Sequence, residues 1–202
     1  MVSFTACSKN VIERLRRCLL LLVFLPVLAW AAEIEISVPQ IAAGDDGYVL
    51  SADFTFELSQ RLEEAVTRGV VLYFVADFEL SRPRWYWLDE KVVSRSQTYR
   101  LSYHALTRQY RLSTGALHQS FSTLSEALRM LTHVRNWVVA DRSDKAVRVG
   151  EPYQAALRLR LDITQLPRPF QISALGNKDW SLASDWKTWP VTLPPMPPVE
   201  AK

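Results

Sequence analysis

The sequence has 202 residues, 49% of them hydrophobic and 22% charged, with a formal net charge of +3 at pH 7. This composition is typical of a globular protein, and the length suits one domain. Residues 1–31 hold four basic side chains and one acidic side chain, which leaves 20 of each sign in the rest of the chain. Because that remainder is neutral, the charge does not support a general nucleic-acid-binding protein.

The N-terminal segment has the layout of a secretory signal peptide. Three arginines at positions 14–17 precede the apolar run CLLLLVFLPVLAWA, which ends in a small-x-small pattern. The run is shorter than the roughly 20 residues that a membrane-spanning helix needs. We therefore predict that residues 1–31 are a signal peptide that is cleaved on export. The alternative is an uncleaved membrane anchor.

Both cysteines, Cys7 and Cys18, lie in this leader. The chain after cleavage would contain no cysteine, which excludes disulfides, thiolate metal sites and cysteine nucleophiles from it. Its stability would then depend on the hydrophobic core alone, which is feasible at this length.

Apolar and polar residues alternate through much of the remaining chain, which predicts half-buried strands. Residues 48–58 and 153–163 each place six apolar side chains on one face. Residues 69–80 are apolar on both faces at their start, as in a central strand that is covered on both sides. Further strands are predicted at 33–38, 97–106, 108–114 and 134–141.

Two short helices are also predicted. In residues 58–69, Ser59 can cap the start of a helix. In residues 122–134, Thr123 and Glu126 have the spacing of a capping box.

Together these elements predict a mainly β fold. Short strands joined by tight connections favour an antiparallel β-sandwich, immunoglobulin-like or similar, with the two helices, over residues 32–189. Residues 190–202 contain five prolines, which cannot donate backbone hydrogen bonds. This tail is predicted to be extended or disordered.

The stretch SRPRWYWLDEKVV, residues 81–93, combines arginines with aromatic residues. Pro83 favours the start of a strand. On such a strand Trp85 and Trp87 would share one face, with Arg84 and Tyr86 on the other. The two indoles could then fill the core or line a groove or partner surface, and alternation does not decide between these.

Charges are unevenly distributed along the chain. Residues 91–125 hold five basic and no acidic side chains, whereas residues 33–57 hold six acidic and no basic ones. We favour pairing of these charges across a sheet. The alternative is a basic face that meets an acidic partner or anionic lipid. The candidate binding residues are Arg82, Arg84, Trp85, Trp87, Arg100, His104 and Arg108.

No motif in the sequence indicates an enzyme. The chain lacks a G-x-S-x-G nucleophile turn and a glycine-rich phosphate loop. His104, His118 and His133 are too far apart for a paired metal-ligand motif. We predict no catalytic residue, metal or cofactor. A hydrolase that uses His104 and a nearby serine is the less favoured alternative.

Several segments carry a family resemblance, among them VLSADFTFELSQRLEEAVTRGVVLYFVADFEL, RPRWYWLDEKV and LRLRLDITQLPRPFQISAL. With these the sequence resembles an uncharacterised proteobacterial family of exported "proline-rich signal peptide" proteins. The resemblance implies a periplasmic protein, or one anchored on the periplasmic side of the inner membrane. Genes for similar proteins often lie beside a sensor histidine kinase, which implies an envelope-signalling partner. The family resemblance implies no catalytic residue.

Two binding functions are consistent with these observations. The first is a non-enzymatic exported protein that binds a protein partner in the envelope. The second is a small-ligand or glycan-binding module that uses Trp85, Trp87 and Tyr86 or Tyr103 for stacking. Whether the candidate residues converge on one concave surface would discriminate between them.

Overall fold

A computed structural model of the chain describes residues 34–37, 39–86, 89–174 and 176–197. The predicted leader, with both cysteines, lies outside the described residues. The described part folds into two antiparallel sheets and three short helices, which confirms the predicted antiparallel β-sandwich. None of its helices combines the length and apolar character needed to cross a bilayer.

The smaller sheet is organised around one central strand. Its members are β1 (Glu35–Ile36), β2 (Gln40–Ala43), β3 (Gly47–Thr55) and β8 (His133–Asp141). Strand β3 pairs with β1, β2 and β8, and β2 and β8 occupy its opposite edges. The predicted alternation of residues 48–58 holds as far as Thr55.

The larger sheet has six strands, each antiparallel to its neighbours. In spatial order they are β10 (Lys187–Thr192), β9 (Pro152–Leu161), β4 (Leu72–Arg82), β5 (Glu90–His104), β6 (Gln109–Thr114) and β7 (Leu117–Phe121). Strand β4 lies in the middle, as its two apolar faces predicted.

Three helices cover parts of the sandwich: α1 (Gln60–Thr67), α2 (Leu124–Thr132) and α3 (Arg168–Ala174). The predicted caps are confirmed, since the Ser59 hydroxyl accepts a hydrogen bond from the Leu62 N–H, and Thr123 and Glu126 form a capping box. Helix α3 was not predicted because prolines flank and enter it. Pro169 lies in its first turn, where a backbone donor is not needed.

The core lies between the two sheets. Phe74, Phe78 and Leu157 of the larger sheet are fully buried, as are Tyr48 and Leu50 of the smaller one. The apolar positions that alternation assigned to the strand interiors of 48–54, 72–80 and 153–161 are buried. The sandwich therefore forms because each sheet presents one apolar face.

The tail from residue 190 was predicted to be extended or disordered, and in its described part residues 190–192 are extended, within β10. Pro190 pairs with Gln154 in β10, and Leu193 is buried beyond the end of that strand. The backbone carbonyl of Pro194 accepts a hydrogen bond of 2.8 Å from the Tyr48 hydroxyl. Prolines fit here because β10 is an edge strand, and proline carbonyls still accept hydrogen bonds. Residues 198–202 lie outside the described part.

The prediction of a strand that begins at Pro83 is wrong. Strand β4 ends at Arg82, Pro83 opens the loop to β5, and Trp85 and Tyr86 form a turn. Strand β5 begins at Glu90, well before the predicted start at 97. Residues 83–86 and 89 thus belong to the connection between the two strands of a long hairpin and not to a strand of the core.

Candidate functional site

The candidate binding residues do not converge on one surface. Arg82, Arg84 and Trp85 lie at one end of the β4–β5 hairpin, and Trp87 is outside the described residues. The other three candidates lie towards the opposite end of β5. That strand extends over roughly 45 Å from its first residue to its last. The two groups therefore belong to separate surfaces. We call them the aromatic loop, of which the structure describes residues 83–86 and 89, and the basic pocket.

The aromatic loop carries two exposed rings. Trp85 is 93% exposed and Tyr86 is 64% exposed. Their ring centroids are 5.1 Å apart at an interplanar angle of 70°, which is a favourable edge-to-face arrangement. The Trp85 indole is therefore at the surface, not in the core.

Ion pairs hold the base of the aromatic loop. Arg82 contacts Glu90 at 3.2 Å and Glu151 at 3.0 Å, and Arg84 also pairs with Glu90. The Arg84 N–H donates to the Asp89 carboxylate at 3.4 Å. The hydrogen bond from Arg84 lowers the pKa of Glu90 despite the opposing effect of burial. Arg82 and Arg84 thus position the loop rather than offering free cations.

The basic pocket lies on the outer face of the larger sheet. Arg100 and His104 reach it from β5, Arg111 from β6 and His118 from β7, around a cavity of about 560 Å³. Arg108 lies in the β5–β6 turn with φ of 52° and is not part of its lining. The structure thus brings together two of the predicted residues, Arg100 and His104, and adds two that sequence reasoning missed.

Among the residues that the structure describes, no acidic side chain lines the basic pocket. Within the described part of the chain, the guanidinium groups of Arg100 and Arg111 form no ion pair or hydrogen bond, and the buried Nε of Arg111 has no hydrogen-bond partner. The favoured prediction that residues 33–57 neutralise residues 91–125 is wrong. The acidic segment lies in the smaller sheet, where Asp53 pairs with Arg135 of β8 at 2.6 Å.

The same outer face is neutralised nearer β9. Asp77 of β4 accepts hydrogen bonds from Arg158 at 2.9 Å, Arg160 at 3.1 Å and Ser96 at 2.8 Å. Burial by itself would raise the pKa of Asp77, but these hydrogen bonds and the charge of Arg160 hold it below its ordinary value. On this face, Arg158 and Arg160 thus have a carboxylate partner, whereas Arg100 and Arg111 have none among the described residues.

We expect Asp77→Asn to reduce the free energy of unfolding at pH 7 by about 1–3 kcal/mol, because two arginines lose their charged acceptor. A carboxylate whose pKa is lowered on folding stabilises the protein above its unfolded pKa, and this stabilisation is lost as pH falls through the folded pKa. The difference between wild type and variant should therefore shrink in acid. Urea unfolding at pH 7 and in the acid range measures the stability difference between the two proteins. An equal difference at both pH values would mean that the Asp77 carboxylate does not provide this stabilisation.

His104 lies at the end of β5, where its ring contacts the following turn. Its Nδ1 lies 3.2 Å from the hydroxyl of Thr107 in its own turn rather than against a carboxylate. His133 lies elsewhere, 3.8 Å from Asp53. In the part of the chain that the structure describes, no three metal-ligating side chains come together.

A family model described as a domain of unknown function, DUF4390, matches residues 31–190. The chain belongs to the DUF4390 family. Comparison with curated proteins and with solved structures gives no match. The DUF4390 match includes both the aromatic loop and the basic pocket, but the family description assigns no role to any residue.

The sequence of this DUF4390 domain contains a signal for Arg111, one of the two pocket residues that were not predicted. Residues 91–125 lack acidic side chains, and the hairpin register places Ser102 opposite Arg111. With the β5–β6 register known, Arg111 falls on the same sheet face as Arg100 and His104. The strand β7 that carries His118 has no apolar alternation, so its place could not be read from the pattern.

Proposed function

We propose that this protein is an exported, periplasmic, non-enzymatic β-sandwich that binds a protein partner through its aromatic loop. The observation that carries this proposal is the exposure of Trp85 and Tyr86 at the end of the β4–β5 hairpin. Tryptophan and tyrosine dominate interface hot spots because they bury a large apolar area with few rotatable bonds.

The fixed base of the loop supports the same proposal. Because Arg82 and Arg84 both pair with Glu90, the backbone that presents the aromatic rings is braced on each side. A surface that is already ordered loses less conformational entropy when a partner binds.

Trp85 also favours a protein partner over a small ligand or glycan. Small-ligand sites are concave and enclose most of the ligand surface. A side chain that is 93% exposed projects from the surface instead of lining a cleft. Tyr103, the other proposed stacking residue, lies near the far end of β5, so the two cannot hold one small molecule.

Export is supported by the arrangement of the first 31 residues, with an arginine cluster, a short apolar run and a small-x-small site. The resemblance to exported proteobacterial proteins suggests the periplasm as the destination. The gene neighbourhood of similar proteins suggests an envelope protein, such as a sensor histidine kinase, as the partner.

We expect Trp85→Ala to weaken partner binding at least tenfold, because truncation of a hot-spot aromatic residue costs about 2 kcal/mol or more. A photoreactive phenylalanine analogue at position 86 should capture the partner in living cells, and mass spectrometry should identify it. The band of the crosslinked complex should disappear when the Trp85→Ala substitution is added to the protein.

Leu106→Ala is the matched control, because Leu106 is 92% exposed but lies in the β5–β6 turn. It should leave the captured band unchanged. Both variants should unfold within about 0.5 kcal/mol of wild type, as is usual for exposed positions. A capture pattern that survives Trp85→Ala, or no capture from position 86, would show that the aromatic loop is not the binding surface.

A further inference from the structure

The basic pocket is built around Arg111. Cross-strand register places Ser102 of β5 and Ser120 of β7 directly opposite it. Its diagonal neighbours on the same sheet face are Arg100, His104 and His118. Diagonal side chains on adjacent antiparallel strands have Cα atoms about 7–8 Å apart, which long side chains can bridge. Four nitrogen-bearing side chains from three strands can therefore reach one ligand.

Two arginines lie near each other in this arrangement without a counter-ion among the described residues. Arginine stays protonated at every physiological pH, so Arg100 and Arg111 place two permanent positive charges on adjacent strands. Like charges on neighbouring strands repel each other, more weakly where they face solvent. The acidic side chains of this outer face, Asp77 and Glu79, are engaged with Arg158, Arg160 and Lys91 instead. A bound dianion would neutralise the pair of guanidinium groups.

The donors in the basic pocket suit a phosphoryl group. Guanidinium groups donate paired N–H bonds that match the geometry of phosphate oxygens. Ser102 and Ser113 add hydroxyl groups to the lining, and either form of an imidazole can donate one further hydrogen bond. A phosphate monoester carries a charge of about −1.5 to −2 at neutral pH, which matches two arginines.

We propose that the basic pocket binds the phosphate monoester group of a phosphorylated ligand. The cavity of about 560 Å³ also has room for a small organic group attached to the phosphate. This site is independent of the aromatic loop and of the partner proposed to bind there. The phosphate could belong to a free metabolite or to the headgroup of a lipid.

Titration calorimetry of the purified protein with glycerol 3-phosphate and with inorganic phosphate tests the proposal. We expect saturable binding of glycerol 3-phosphate, with a dissociation constant below about 1 mM, and weaker binding of inorganic phosphate. Arg111→Gln should raise the dissociation constant at least tenfold. Arg100→Gln should act in the same direction, and it provides the test should Arg111→Gln fail to fold.

Arg108→Gln is the matched control, because it removes the same charge from the β5–β6 turn outside the pocket. It should change the dissociation constant by less than about twofold, since a general surface charge contributes little to a specific contact. Equal losses in the Arg108 and Arg111 variants would overturn the proposal in favour of non-specific attraction.

Phosphatidylcholine vesicles with and without phosphatidate distinguish the two sources of the phosphate. Binding to phosphatidate vesicles that Arg111→Gln abolishes, with no binding of glycerol 3-phosphate, would identify a lipid headgroup. Binding of glycerol 3-phosphate would identify a soluble ligand. The proposal is overturned if neither probe binds, or if the vesicle binding survives Arg111→Gln.

Discussion

We expect Phe78→Ala to lower the free energy of unfolding by about 3–5 kcal/mol, the range for truncating a buried phenylalanine. Phe78 is 1% exposed in the central strand β4. Its ring lies 6.3 Å from that of Trp137 in the smaller sheet and 6.5 Å from that of Trp189 in β10. The substitution removes contacts both between the sheets and to the edge strand, and the rigid β ladders cannot close the resulting cavity.

Urea unfolding measured by tryptophan fluorescence checks this result, because Trp137 and Trp189 report on the same region. Tyr86→Ala is the control, since it removes an aromatic ring that is mostly exposed, and it should change stability by less than about 0.5 kcal/mol. A loss below about 1.5 kcal/mol in Phe78→Ala would mean that this ring does not hold the two sheets together.

The second large effect is expected at Gly47, where β3 approaches β8. A Cβ atom added to Gly47 would lie 2.2 Å from the carbonyl oxygen of Ala140 and 3.0 Å from the Cα of Asp141. Both contacts are with backbone, so no side-chain rotation can relieve them. The φ of +153° adds strain for any residue with a Cβ. We expect Gly47→Ala to cost about 2–4 kcal/mol.

Gly115→Ala separates the steric effect from the conformational one. Gly115 has φ of +56°, but an added Cβ there would meet nothing within 4 Å. Its substitution should cost only about 1 kcal/mol, the usual cost of a left-handed conformation. Chemical denaturation of both variants gives the comparison, and equal costs would mean that the β3–β8 backbone contact relaxes without a penalty.

The parts of the fold that the sequence predicted correctly share one physical property. In residues 72–80 and 153–161, buried side chains recur at alternate positions. The alternation of apolar residues in the sequence predicts this burial directly. The capping box of Thr123 and Glu126 is equally local, because both hydrogen bonds form within four residues. Such features need no knowledge of which strands are neighbours.

The segments that were not fully predicted depend on neighbours that are distant in sequence. Pro190 lies in a strand because residues 187–192 pair with β9. Residues 117–121 form β7 although that strand is largely exposed, since pairing with β6 rather than burial defines it. The pattern of apolar residues carries no information about either pairing.

The candidate site was predicted only in part for a related reason. Residue types identified Arg100 and Trp85 as candidates, but the pattern could not separate a turn from a strand at Trp85. Nor could it show that Arg111 is a diagonal neighbour of Arg100, because that relation depends on the β5–β6 register. The sequence showed which residue types could bind a ligand, but it did not show which of these residues lie close together in the fold.

The length of β5 has a consequence for how the two surfaces would operate. The aromatic loop and the basic pocket lie towards opposite ends of one strand, which pairs with β4 along its length apart from a register shift between Leu80 and Ser81. A small phosphorylated ligand in the basic pocket would not contact the aromatic loop, so it would not compete with a partner for the residues of the loop. If both proposed sites bind, one domain would hold the two molecules at the same time and link the two binding events. Any influence of one on the other would have to pass through the sheet itself, and would appear as reciprocal changes in both affinities.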